Sequence, residues 1–147
     1  MGQYRFAVPE GDRFDTDSLV AAQIIGLEGI PWPGKTSLNG QVLTITRNTS
    51  VSGRLLLPFQ TSGHGELALT TGTLPETDVT YQLDLELARG TLSRLRNQVS
   101  NWAEGGLRIR DDFQIRLGDV ISLYSGAVFC NDNPLERTAI CNRVIDS

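Results

Sequence analysis

The sequence predicts an α+β protein: a small antiparallel β-sandwich, jelly-roll-like, followed by an antiparallel helical hairpin and part of a third helix. Three observations lead there. From Tyr4 to about Leu74 short apolar runs alternate with polar residues and are cut by Gly, Pro and Asn. After Pro75 the apolar residues step by threes and fours. One Asn–Gly pair, Asn39–Gly40, joins two alternating runs, the local signature of a hairpin. A period of two is the mark of strands and a period near 3.6 that of helices, so the change divides the chain into a β-half, 1–78, and a helical half, 79–147.

In the β-half, "YRFAV" alternates at Tyr4, Phe6 and Val8 before Pro9 and Gly11 break it. "SLVAAQIIGL" is apolar enough to be a strand covered on both sides, turned at Glu28–Gly29. "TSLNGQVLTIT" holds the Asn39–Gly40 turn, expected as type I′ with Leu38 facing Val42. "GRLLLPF" and "GELALTTG" complete the set, with Leu67 and Leu69 on one face and Pro58 marking an edge or an end. Six closely spaced strands with no intervening long helix exclude a βαβ plan.

In the helical half, Tyr81, Leu85, Ala88, Leu92, Leu95, Val99 and Trp102 form a heptad seam. Asp78 or Thr80 is the expected cap, and Gly105–Gly106 the stop. Leu83 and Leu87 add a second stripe that wedges the start of this helix against the sheet. Gly90 inside it costs roughly 1 kcal/mol against Ala unless a close approach needs it. Asp111 and Asp112 open a second seam of Phe113, Leu117, Val120, Tyr124 and Ala127, and the two seams are expected to seal each other. "NDNP" at 131–134 starts a third helix carrying Leu135, Ala139, Ile140 and Val144, with no evident partner.

With 147 residues the chain makes one ordinary domain, or a small domain and an appendage. A net charge of −4 and a single lysine, Lys35, argue against a nucleic-acid partner, whose phosphates need clustered Lys and Arg. No apolar run is long enough to span a membrane, and the first residues lack the basic start and apolar stretch of a signal peptide, so localisation stays unassigned. Cys130 and Cys141 have no metal spacing and are read as two free thiols rather than a disulfide. No cofactor and no metal is expected.

The segment "LDLELARGTLSRLRNQVSNWAEGGL" (83 to 107) resembles the N-terminal, non-catalytic region of planctomycete-type bacterial xylanase-like proteins, which carry a family-ten glycoside hydrolase barrel further on. Leu85, Glu86, Leu87, Ala88, Arg89, Gly90, Leu92, Leu95, Arg96, Asn97, Gln98 and Trp102 carry the likeness, with "LEGIPWPGK" and "LPE" matching more loosely. The resemblance implies an accessory, carbohydrate-binding module of a polysaccharide-degrading protein (endo-1,4-β-xylanase-like). Its implied partners are a plant-type polysaccharide and a downstream catalytic domain of the same protein. No catalytic residue carries over, since a barrel cannot be built from this length.

Among single residues Trp32 stands out, between two prolines in "IPWPGK". A rigid exposed aromatic is the usual platform for the C–H face of a sugar, whereas a Trp folded over the end of the sheets is only packing. Trp102, Tyr4, Tyr81 and Tyr124 fall on faces expected to be buried. His64, in "SGHGEL", sits in a glycine pattern whose context is a strand rather than a nucleotide-binding helix, and reads as a turn residue. Glu10, Asp12, Asp15 and Asp17 lack a calcium-loop spacing and read as a solvated loop. Arg89, Arg94 and Arg96 form a polar helix face suited to docking. Function therefore reads first as a non-catalytic accessory module. The runner-up is a protein-interaction or homodimerisation module that uses the heptad helices, and an independent enzyme comes third.

Overall fold

The alternation at Tyr4, Phe6 and Val8 becomes the first strand of a computed structural model that describes residues 2–11, 13–130 and 132–147. Strand β1 (Gly2–Ala7) pairs antiparallel with β4 (Val42–Arg47), placing Tyr4 opposite Ile45 and Phe6 opposite Leu43. On the far side of β4 lies β3 (Gly34–Asn39), and β7 (Tyr81–Gln82) closes the other edge, giving the order β3-β4-β1-β7. The β7 contact is parallel, Phe6 opposite Tyr81, so this sheet is mixed rather than wholly antiparallel. A second, antiparallel sheet has the order β2-β5-β6, from β2 (Gln23–Ile25), β5 (Arg54–Thr61) and β6 (Gly65–Thr70). Tyr4, Phe6, Leu43 and Ile45 of one sheet and Ile24, Leu55, Leu57, Phe59 and Leu69 of the other share one core. Burial of each such side chain contributes roughly 1.5–3 kcal/mol.

Three expectations change in detail. The run 18–27 is not one strand: α1 (Thr16–Val20) occupies its start, with the Asp15 carboxylate accepting from the Asp17 N–H, and only Gln23–Ile25 pair as strand. In the hairpin, Asn39 pairs with Val42 and Leu38 with Leu43, one residue off the expected match. The loop is then Gly40–Gln41, with Gly40 at φ +61° and no positive φ at Gln41, as a type II′ turn requires. Burial decides the register, because this match puts Leu43 and Ile45 on the same face as Leu38 and so into the core. Pro58 lies inside β5 opposite Ala68, just beyond the end of β2, where no ladder bond is needed.

The long helix begins later than the caps suggested. Tyr81 and Gln82 are taken by the edge of the sheet, so α2 runs from Leu83 to Glu104 with Gln82 as its N-cap. Its end is as expected: the Gly106 N–H donates to Ala103 O and the Leu107 N–H to Trp102 O, with Gly106 at φ +88°. Leu83 and Leu87 are buried in the sheet core, so the two sheets and the root of α2 are one packed body.

Two more helices follow, α3 (Asp111–Phe129) and α4 (Pro134–Asp146). Asn133 caps α4, its Oδ1 accepting from the Glu136 N–H at 3.3 Å with Pro134 in the first turn; the preceding Asn131 lies outside the described residues. The expected direct sealing of α2 by α3 is corrected here. Both pack chiefly on α4, and they meet each other only sparingly. The third helix thus has two partners. Ala88 of α2, Ala127 of α3 and Cys141 of α4 are buried where the three converge, and their small side chains permit the approach. The buried face of α4 is Arg137, Cys141 and Val144, and Leu135, expected on it, is 73% exposed.

Gly90 marks where α2 crosses the end of the second sheet. A Cβ there would collide with the Thr70 carbonyl oxygen and the Thr71 backbone. Gly126 of α3 has open space at the same position. Gly90→Ala is expected to lower unfolding stability by about 1–3 kcal/mol despite its better helix propensity. Gly126→Ala should raise stability by about 0.5–1 kcal/mol. Denaturant midpoints of the two variants, measured side by side, check both signs.

Candidate functional site

Trp32 is positioned by a backbone loop that folds back on β2. The Gly26 N–H donates to Ile30 O at 3.1 Å, the Trp32 N–H donates to Ile24 O at 3.0 Å, and Ile25 bridges to Pro31. The indole lies directly on Gly26, where a Cβ would strike its Nε1 and Cδ1. Trp32 is nevertheless 42% exposed, with Leu27 and Ile30 also open to solvent. The Nε1–Cδ1 edge of the ring is seated on Gly26 while the residue stays partly accessible, between the two extremes the sequence offered. Pro31 and Pro33 restrict the backbone on both sides, so little entropy remains to be lost on contact with a ligand.

The other candidates scatter. His64 is exposed in the loop joining β5 to β6, between Gly63 and Gly65, both at positive φ. In the acidic loop Asp15 caps α1 and Asp17 stands in that helix's first turn, while Asp12 lies outside the described residues. Arg89 reaches Glu86 at 3.4 Å, and burial pushes the Glu86 carboxyl above the usual range. Arg94 donates to Thr70 Oγ1 at 3.5 Å, and Arg96 lies with Tyr124 along a groove between α2 and α3. Tyr4 is buried, whereas Tyr81 and Tyr124 are half-buried. Trp102, expected in the seam, is 42% exposed, because the neighbouring helix packs on the first half of α2 and not on its far end. Cys130 and Cys141 are both free, and burial pushes the Cys141 thiol up to about 12, so it stays protonated at neutral pH.

Three arginines that sequence reasoning passed over hold the charged interior. Arg47 is fully buried: it bonds Glu76 at 2.7 Å, donates to Val51 O, and places its Cζ 5.1 Å from the Tyr4 ring. Its Nε and Nη1 are enclosed and make no hydrogen bond. The signal was present, since Arg47 continues the inward set Leu43, Ile45. Arg13 grips Asp146 with both terminal nitrogens, at 3.0 and 2.8 Å, and the Ser62 N–H donates to the same carboxylate. The Arg13 guanidinium holds the Asp146 carboxyl below its ordinary 3.8.

Arg137 is the third. Its Nε donates to Asp84 Oδ2 at 3.2 Å and its Nη2 to Gln82 Oε1 at 3.1 Å, while Thr138 Oγ1 donates to the same Asp84 oxygen at 2.8 Å. Asp84 is 1% exposed. The pair fastens the start of α4 to the start of α2.

Comparison with protein-family models, with characterised proteins and with solved structures finds no match to this chain.

Removing one partner of an enclosed ion pair strands the other charge. Asp84→Ala is expected to cost about 3–5 kcal/mol, and the double variant Asp84→Leu/Arg137→Met to recover most of that. Urea unfolding of the single and double variants measures the difference.

Proposed function

We propose that this chain is a non-catalytic accessory module of a glycoside-hydrolase-like protein, in which the β-half contacts glycan and the helical half docks the downstream catalytic domain. On this reading the two facing sheets form a jelly-roll-like sandwich that carries the sugar surface. The observation that carries the proposal is Trp32: an indole seated on Gly26, fixed between two prolines and still 42% exposed. Apolar C–H faces of pyranose rings stack on such a surface, and its rigidity keeps the entropic cost low. The likeness of residues 83 to 107 to family-ten xylanase-like proteins suggests xylan-type chains as the glycan. The end of α2, the loop after it and the start of α3 support docking, because Trp102, Leu107, Phe113 and Ile115 are exposed there.

Two tryptophans would both report in fluorescence, so the test uses Trp102→Phe as background. Titration with xylohexaose is expected to give a saturable change in Trp32 emission and matching heat in calorimetry. Trp32→Ala should weaken binding at least about tenfold, or about 1.4 kcal/mol. Absence of any response to xylo-oligosaccharides removes the glycan reading.

The same exposed stripe favours a second reading, homodimerisation through the ends of α2 and α3. Half-buried Leu95 and Val99 continue the heptad spacing towards the exposed Trp102. A dimer should melt at a temperature that rises with protein concentration, and Trp102→Ser should abolish that dependence. Sedimentation as a monomer at all concentrations disposes of it.

A further inference from the structure

A cleft of about 540 Å³ opens between the end of β1 and the first turn of α4. Val8, Pro9 and Glu10 form one wall; Pro134 and Leu135 form the other; Gln82, Arg137 and Thr138 lie between them. The Arg137 side chain is 7% exposed and its Nε and Nη2 are engaged by Asp84 and Gln82. Its remaining nitrogen, Nη1, makes no hydrogen bond and is not among the enclosed unsatisfied atoms, so it is the spare donor of a residue that lines the cleft. Arg47 is the contrast, with its spare nitrogens sealed from any ligand.

Asn133 at the same wall is already engaged, its Nδ2 donating to Glu136 Oε2 and its Oδ1 accepting from the Glu136 N–H. Gln82 uses its Oε1 for Arg137, which leaves its side-chain N–H groups as donors. Thr138 spends its proton on Asp84 and keeps lone pairs as an acceptor. Glu10 is exposed at the rim and contributes a carboxylate. The cleft therefore presents donors and acceptors together, between prolyl and aliphatic walls. Charge then decides the ligand class. Asp84 already offsets Arg137, and Glu10 adds a negative charge at the mouth, so an anion is repelled. Neutral hydroxyls, each able to donate and accept, fit the mixture, and the apolar walls fit the C–H face of a ring.

We propose that this cleft is a second binding site, taking a single sugar ring or similar cyclic polyol, with Arg137 and Gln82 as donors and Thr138 and Glu10 as acceptors. The inference rests on the reading of the chain as a glycan-contacting module, and adds to it a site that does not involve Trp32.

The test is a heteronuclear NMR titration of the whole chain with methyl β-D-xylopyranoside, run in parallel with sodium acetate. The xyloside is expected to cause saturable shifts of the Gln82 side-chain amide, the Arg137 Nε–H and the amides of 135–138. Glu10→Ala, at the exposed rim, should weaken those shifts about tenfold. Leu135→Trp, which narrows the mouth at an exposed position, should do the same, and Trp32→Ala should leave them unchanged. Shifts confined to the surroundings of Trp32 overturn the cleft while sparing the indole platform. Cleft shifts with acetate and none with the xyloside also overturn it, and silence at both places removes the platform as well.

Discussion

The Asp84–Arg137 pair is the constraint on which the arrangement of the helices depends. Its carboxylate stands in the first turn of α2, where burial leaves it 1% exposed, and the guanidinium that meets it comes from α4. Two such charges cannot be withdrawn from water separately, so α4 must place Arg137 against Asp84 whenever the root of α2 is packed. Buried ion pairs add little net stability because desolvation offsets attraction. What they supply is position, since almost every misplacement leaves a bare charge inside. Gln82 accepts from a second Arg137 nitrogen and Thr138 donates to the Asp84 carboxylate, which extends the network while Arg137 Nη1 stays unbonded.

Position at one end would still leave α4 free to swing. Its other end is held by Asp146, which accepts from both terminal nitrogens of Arg13 and from the Ser62 N–H in the loop between β5 and β6. Between these anchors Cys141 and Val144 pack on Ala88 and Ala127. The helix is therefore strapped to the root of α2 at one end and to the β-half at the other, and it brings α3 with it. What lies beyond the straps is held by less: the far turns of α2 and the start of α3 expose Trp102, Leu107 and Phe113. Contact density falls towards that end, and local opening free energies are expected to fall with it.

Local chemistry was legible in the sequence, and choices made between distant segments were not. Gly105–Gly106 and Pro134 terminate and start helices by rules that need only neighbours, and the structure follows them. The hairpin at Asn39–Gly40 was visible for the same reason, but its register shifted by one residue because burial of Leu43 and Ile45 outweighs the preference of the turn. Tyr81 and Gln82 fit the helical period and still pair as a strand, because Phe6 and Ala7, some seventy residues away, offer an open edge. The role of α4 was hidden by its own chemistry. An Arg heads its buried stripe, and Ala88, Ala127 and Cys141 are too small to announce a contact by hydrophobicity. Trp32 stood out in the sequence, yet nothing in "IPWPGK" indicated that Gly26 would be its seat.

The two glycine contacts show how one device serves both halves. At Gly90 the absent side chain lets α2 press on the end of β6, which fixes the helical layer relative to the sheets. At Gly26 it lets the Nε1–Cδ1 edge of an indole approach the backbone just after β2, which seats the side chain without burying it. The first contact spends the free space on packing and closes it. The second leaves the tryptophan 42% exposed. A large aromatic retained in solvent gains little for stability, so the contact at Gly26 restricts the side chain without adding it to the core.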